Sequence, residues 1–207
     1  MTNTIKLSKE NRSTTIKLSK ERPIGKYGKI DINLNWNQGQ AKKGFFSGLL
    51  GGGKDSVDLD LGCLFELKDG KKGSVQALGN NFGSYDREPF VVLDADDRTG
   101  SSSDGEWMHI NGDNWSRFKR VVIYAFIYEG VANWSNTDGI VTMKVNGENI
   151  EVKMDETSRD KRLCAVALLE NINDEIHVKR LVDYYNDQEK LDHALNWGMR
   201  WTKGSKD

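Results

Sequence analysis

Five carboxylates fall within thirteen residues: Asp94, Asp96, Asp97, Asp104 and Glu106, in the segment DADDRTGSSSDGE. Glycine, serine and threonine fill most of the other positions. Like charges this close repel, so a fold that gathers them needs compensation. A hard cation is the common one, because Ca2+ takes about 6–8 oxygen ligands from carboxylates, carbonyls and water. The segment is not an EF-hand. Asp94 and Asp96 fit ligand positions one and three, but Arg98 holds the fifth. Thr99 replaces the turn glycine, and Gly105 stands where a bidentate glutamate belongs. A cation here would sit in a loop on a strand scaffold. Asp58 and Asp60 offer a second group of carboxylates, since side chains two apart on a strand share a face. Leu59 and Leu61 then point to the core. If that strand ends beside the acid loop, seven carboxylates converge: Asp58, Asp60, Asp94, Asp96, Asp97, Asp104 and Glu106. The competing reading is a solvated acidic turn.

Other chemistries fit less well. Gly48 to Asp55 matches GxxxxGK but places Asp55 where a P-loop needs Ser or Thr, and a strand follows instead of a helix. His109, His177 and His193 have no Cys or His neighbour at zinc-ligand spacing. Ser101 to Ser103 lack a nucleophile-elbow context. No catalytic constellation emerges, and a non-enzymatic protein is expected. Cys63 and Cys164 lie in apolar runs without a CxxC partner, which reads as buried free thiols in a reducing cytosol. Trp115 and Trp134 stand in polar turns, where exposed rings stack on sugars. Edge packing on the core is the favoured alternative.

The 207 residues can bury a core in one domain, or in two small ones. Thirty basic residues against 31 acidic ones argue against a nucleic-acid binder. No apolar run reaches the roughly 18 residues of a membrane span, and the first residues lack a signal-peptide core. No transmembrane segment and a cytoplasmic location are expected.

Strand signals dominate. Ile30, Ile32, Leu34 and Trp36 share one face of Lys29 to Trp36. Further runs are VDLDLGCLFEL, FVVL, RVVIYAFIY, GIVTMKV, NIEVKM, RLCAVALLE and EIHVKRLVDYY. DG or NG pairs at residues 69, 111, 138 and 146 favour tight hairpins. About nine such strands predict an all-β, two-sheet sandwich. One short helix is predicted near the C-terminus, where Leu191, Ala194, Leu195 and Gly198 follow helical spacing. The heptapeptide TIKLSKE occurs at Thr4 to Glu10 and again at Thr15 to Glu21. Residues 1–21 therefore read as a repeated arm of strands joining the sandwich of residues 22–207. Residues 42–55 read as a mobile glycine-rich loop. Its Phe45, Phe46, Leu49 and Leu50 define an alternative function, a membrane- or ligand-binding adaptor in which calcium is incidental. The opposing reading folds these side chains back onto the sandwich.

Several segments in order resemble the TerD superfamily of tellurium-resistance proteins, and most closely its TerA-type members. They are INLNWNQ at 32–38, VDLDLGCLFEL at 57–67 and GNNFGSYDREPFVVLDADDRTG at 79–100. GDNWSRFKRVVIYAFIYEG at 112–130, CAVALLENIN at 164–173 and NWGMRW at 196–201 continue the series. The resemblance covers nearly the whole chain from Thr15. It implies a calcium-binding β-sandwich of bacterial stress-response systems, with no established enzymatic activity. It also implies a cytoplasmic protein whose partners are other ter proteins, including a membrane-associated ter complex. The family's calcium loop resembles DNxTGEGDGDDE. Asp96, Thr99 and Gly100 match its opening, with Asp97 in place of the Asn, and Asp58 and Asp60 match the family's DLD strand. Ser101 to Ser103 replace acid-rich positions, which implies a reduced calcium site.

Overall fold

Alternating apolar residues build two sheets that face each other. The computed structural model describes residues 3–17, 26–36, 57–94, 105–130, 134, 137–155, 158 and 160–202. The first sheet contains seven strands in the order β1-β11-β10-β3-β8-β7-β6. These are β1 (Asn3–Leu7), β11 (Glu148–Lys153), β10 (Ile140–Val145), β3 (Lys29–Asn35), β8 (Glu106–Asn111), β7 (Val91–Leu93) and β6 (Gly83–Ser84). The second contains six in the order β2-β13-β12-β9-β4-β5. These are β2 (Ser13–Ile16), β13 (Glu175–Tyr185), β12 (Leu163–Ile172), β9 (Phe118–Glu129), β4 (Asp58–Leu67) and β5 (Lys72–Gln76). This is the predicted sandwich, with more strands than the sequence pattern gave. β5, β6 and β8 escape the pattern because the first two are short and rich in glycine and serine, and β8 follows directly on the acid loop.

The core lies between the sheets. Ile30, Ile32 and Leu34 of β3 meet Leu59, Leu61 and Cys63 of β4, all 0–1% exposed. The period-2 alternation of both strands puts their polar residues on the opposite faces. β4 and β9 are also covered on their outer face, where Leu64, Val122 and Tyr124 pack against Leu191 and Trp197. That second layer explains why β4 and β9 read as nearly continuous apolar runs.

The repeated heptapeptide divides between the sheets. Its first copy contributes β1, which runs parallel to β11 at the edge of the first sheet. Its second contributes Thr15 and Ile16 to β2, antiparallel to β13 at the edge of the second. The turn between them is held by Ser8, whose hydroxyl accepts from the Glu10 and Asn11 amides.

Two of the four turn dipeptides make hairpins: Asp69-Gly70 joins β4 to β5, and Asn146-Gly147 joins β10 to β11. Both residues of the second pair have positive φ, 52° and 77°, as a two-residue turn requires. Asn111-Gly112 instead opens a 3-10 helix, Gly112–Arg117, that the sequence pattern does not reveal. The C-terminal helix α1 (Gln188–Ala194) is capped by Asp187, whose side chain accepts from the Lys190 amide. It stops before Gly198, which has φ +74°.

No described helix is long and apolar enough to cross a membrane. The glycine-rich segment 42–55, with Phe45, Phe46, Leu49 and Leu50, lies outside the described residues.

Candidate functional site

The acid loop leaves the first sheet after β7 and returns into β8. Its stem is regular: Leu93 pairs with Met108, and the Asp94 amide donates to the Trp107 carbonyl at 2.9 Å. Gly105 has φ +73°, and a Cβ there would collide with the Leu34 carbonyl oxygen. The loop thus re-enters the sheet through a residue type that allows both the dihedral and the close approach.

Glu106 follows, opposite Leu34. Its side chain crosses to the second sheet, where the Leu61 amide donates to Glu106 Oε2 at 2.5 Å. β5 pairs with β4 only from Gly62 onward, so the Leu61 amide lies beyond the end of β5. A carboxylate meets it where a neighbouring strand would otherwise stand. The Asp58–Asp60 strand therefore ends beside the return stem of the acid loop. Leu59 and Leu61 point into the core, Asp60 is buried at 5% exposure on the opposite face, and Asp58 is exposed.

The outgoing stem is fixed differently. His109 Nε2 lies 3.2 Å from Asp94 Oδ2, and His109 Nδ1 lies 2.7 Å from Asp31 Oδ1. Lys29 Nζ meets the same Asp31 oxygen at 3.1 Å. Asp31 and His109 are direct cross-strand partners on β3 and β8. The Trp107 ring stacks beside His109 with centroids 6.3 Å apart, and Lys144 Nζ lies 5.0 Å from the centre of the Trp107 ring. These residues form a polar face on the outside of the first sheet, next to the loop.

Of the seven carboxylates singled out in the sequence, four are thus placed: Asp94 and Glu106 on the two stems, Asp58 and Asp60 on the neighbouring strand. Asp96, Asp97 and Asp104 lie outside the described residues. Among the described residues, no three His, Cys, Asp or Glu side chains form a group able to hold a metal ion. All the donors placed are carboxylate oxygens, the ligand type of a hard cation such as Ca2+.

Sequence spacing missed the roles of His109 and Asp31, because their partnership depends on strand register. Alternation in KIDINLN and EWMHIN places both on outward faces, which is the signal available. It also missed a C-terminal latch. Asp192, fully buried, accepts from the amides of Gly198 and Met199 and from Trp201 Nε1, at 2.6, 2.9 and 2.7 Å. The segment so held walls an open groove of about 1030 Å³ beside Lys72, Ser74 and Gln76 of β5.

The thiols are inert in this setting. Cys63 and Cys164 are free and buried, and burial pushes the Cys63 pKa up to about 12. Trp115 and Trp134 are fully buried and serve packing, with no ring face open to a sugar. His177 is held by Thr15 at 3.1 Å.

No protein-family model matches the chain. It is 47% identical over 198 residues to the tellurium resistance protein TerA of Alcaligenes sp, an alignment covering 92% of this chain. The chain spans 58% of that relative's length. The crystal structure of SAV2460, a protein of unknown function, shares the fold with a TM-score of 0.58 at 15% identity. That match covers 84% of this chain and 99% of the other. SCO6318 from Streptomyces coelicolor A3(2), described as a homologue of the telluride resistance protein TerD, matches with a TM-score of 0.51 at 16% identity. It covers 78% of this chain and 92% of the other. Across the aligned region, the chain belongs to the tellurium-resistance family of TerA-type proteins and has the TerD-like sandwich fold.

Proposed function

We propose that this tellurium-resistance family member is a non-enzymatic, cytoplasmic stress protein that binds Ca2+ at the acid loop. The observation that carries the reading is the Leu61–Glu106 hydrogen bond. It draws the return stem of a carboxylate-rich loop against the strand bearing Asp58 and Asp60. Asp58, Asp60, Asp96, Asp97, Asp104 and Glu106 would hold the ion, with Asp94 at the margin and loop carbonyls completing the shell. A bound Ca2+ supplies two positive charges that offset the crowded carboxylates. A cation held there would bring positive charge close to the buried Asp60 carboxylate.

The chain's own residues anchor the loop: Glu106 ties one stem to β4, and the β7–β8 ladder holds the other. The loop face is then presented to another protein of the resistance system in a calcium-dependent contact. Ser101 to Ser103 leave fewer carboxylates in the segment, so the affinity is modest.

Calorimetric titration of the full chain with Ca2+ tests this reading. Wild type should bind at micromolar to millimolar Ca2+, the range of sensor and extracellular sites. Asp60→Asn and Asp96→Ala should weaken binding. Absence of heat at millimolar Ca2+, or identical isotherms in the three proteins, defeats the reading.

A further inference from the structure

We propose that His109 is a positioning residue for the acid loop, fixing the Asp94 carboxylate at the point where β7 gives way to the loop. This rests on the calcium reading above. The side chain of His109 is 13% exposed and that of Asp94 55% exposed, so a mostly buried ring grips a mostly open carboxylate. The ring is itself set in place. Its Nδ1 lies 2.7 Å from Asp31 Oδ1, and Lys29 approaches that same oxygen at 3.1 Å. Trp107 stacks along one side of the ring. Register makes this arrangement specific: Asp31 faces His109 across the β3–β8 ladder, and Val92, two residues before Asp94, faces His109 across β7–β8.

Asp94 Oδ2 is the oxygen turned to His109, so the ring fixes the orientation of a carboxylate that is itself open to solvent. A carboxylate oriented in advance loses less freedom when it meets a cation, and removing such an outer partner typically weakens metal affinity about 10–100-fold. Glu106 does the corresponding work on the other stem, through the Leu61 amide.

Two substitutions separate the contacts of the ring. In His109→Asn the amide reaches the position of Nδ1 and keeps Asp31. In His109→Gln it reaches the position of Nε2 and keeps Asp94. Amide hydrogen exchange on the calcium-free full chain reads the clamp directly, through the Asp94 amide bonded to Trp107. His109→Asn should speed Asp94 exchange about tenfold and His109→Gln should restore it, with amides of β4 and β9 unchanged. Calorimetry with Ca2+ should then show binding about tenfold weaker in His109→Asn and near wild type in His109→Gln.

Equal Asp94 exchange in all three proteins overturns the proposal. So does faster exchange in His109→Asn with undiminished Ca2+ affinity. If exchange responds as expected but wild type binds no Ca2+, the calcium reading falls while the hold of His109 on Asp94 stands.

Discussion

The Arg120 guanidinium lies 3.8 Å from the centre of the Trp197 ring while its Nε donates to Glu66 Oε2 at 2.6 Å. Its two terminal nitrogens donate to the carbonyls of Leu195 and Asn196. One side chain thus fastens the end of the helical segment to the outer face of β4 and β9. Arg120→Ala should cost about 3 kcal/mol, because it leaves the Glu66 carboxylate buried with its best partner gone. Arg120→Lys should recover only part of this, since an ammonium cannot span the same set of acceptors. Urea unfolding of the three proteins measures both.

Glu66 gives the pH dependence. Burial acts to raise its pKa, but hydrogen bonds and charge from Lys119 and Arg120 outweigh it and hold the pKa below the ordinary 4.5. A depressed folded-state value means the stabilisation is complete above the unfolded pKa and fades as pH falls through the folded one. Wild type should therefore exceed Glu66→Gln in stability at pH 7, and the gap should close progressively below about pH 4.5. Urea midpoints at pH 7, 4.5 and 3 follow this. A gap that grows on acidification contradicts the assignment.

Gly105→Ala tests the loop's return path. The added methyl meets the Leu34 carbonyl at a φ of +73°, so both strain and collision oppose it. A loss of about 1–3 kcal/mol is expected, read as a lower thermal midpoint. Gly147→Ala has a similar φ of +77° with nothing nearby, and should cost less.

Glu106 separates structure from binding. Glu106→Gln keeps an oxygen for the Leu61 amide and should stay within about 1 kcal/mol of wild type. Glu106→Ala exposes that amide's loss and should cost about 1–3 kcal/mol. On the calcium reading, both weaken Ca2+ binding because both remove the charge. Parallel calorimetry and unfolding distinguish the two effects.

Thiol labelling checks the core. Cys63 and Cys164 should resist a soluble disulfide reagent at pH 8 in the folded protein and react at once in urea, since only the accessible thiolate reacts.

The sandwich was legible in the sequence because its strands alternate cleanly: Ile30, Ile32 and Leu34 signal a strand and its buried face together. The helix was legible from Leu191 and Leu195, although Asn196 and Gly198, both at positive φ, end it early. The acid loop was visible as composition, and Asp58-Leu59-Asp60 as a strand pair. What lay beyond reach was register. Nothing in the order of residues says that Glu106 meets the Leu61 amide, that His109 stands across from Asp31, or that Asp192 gathers three donors six to nine residues on. These contacts depend on which strands become neighbours, and that is decided by the whole core. The twin heptapeptides make the same point, because identical residues form a parallel edge in one sheet and part of an antiparallel edge in the other.

That division also bears on how the protein comes apart. Residues 3–17 run from one sheet to the other through a single short turn, with Leu7 and Ile16 both sunk in the shared core. They act as a stitch through both layers. Neither sheet can shed its outer strand without tugging the other's, so the layers should melt as one event and not in succession.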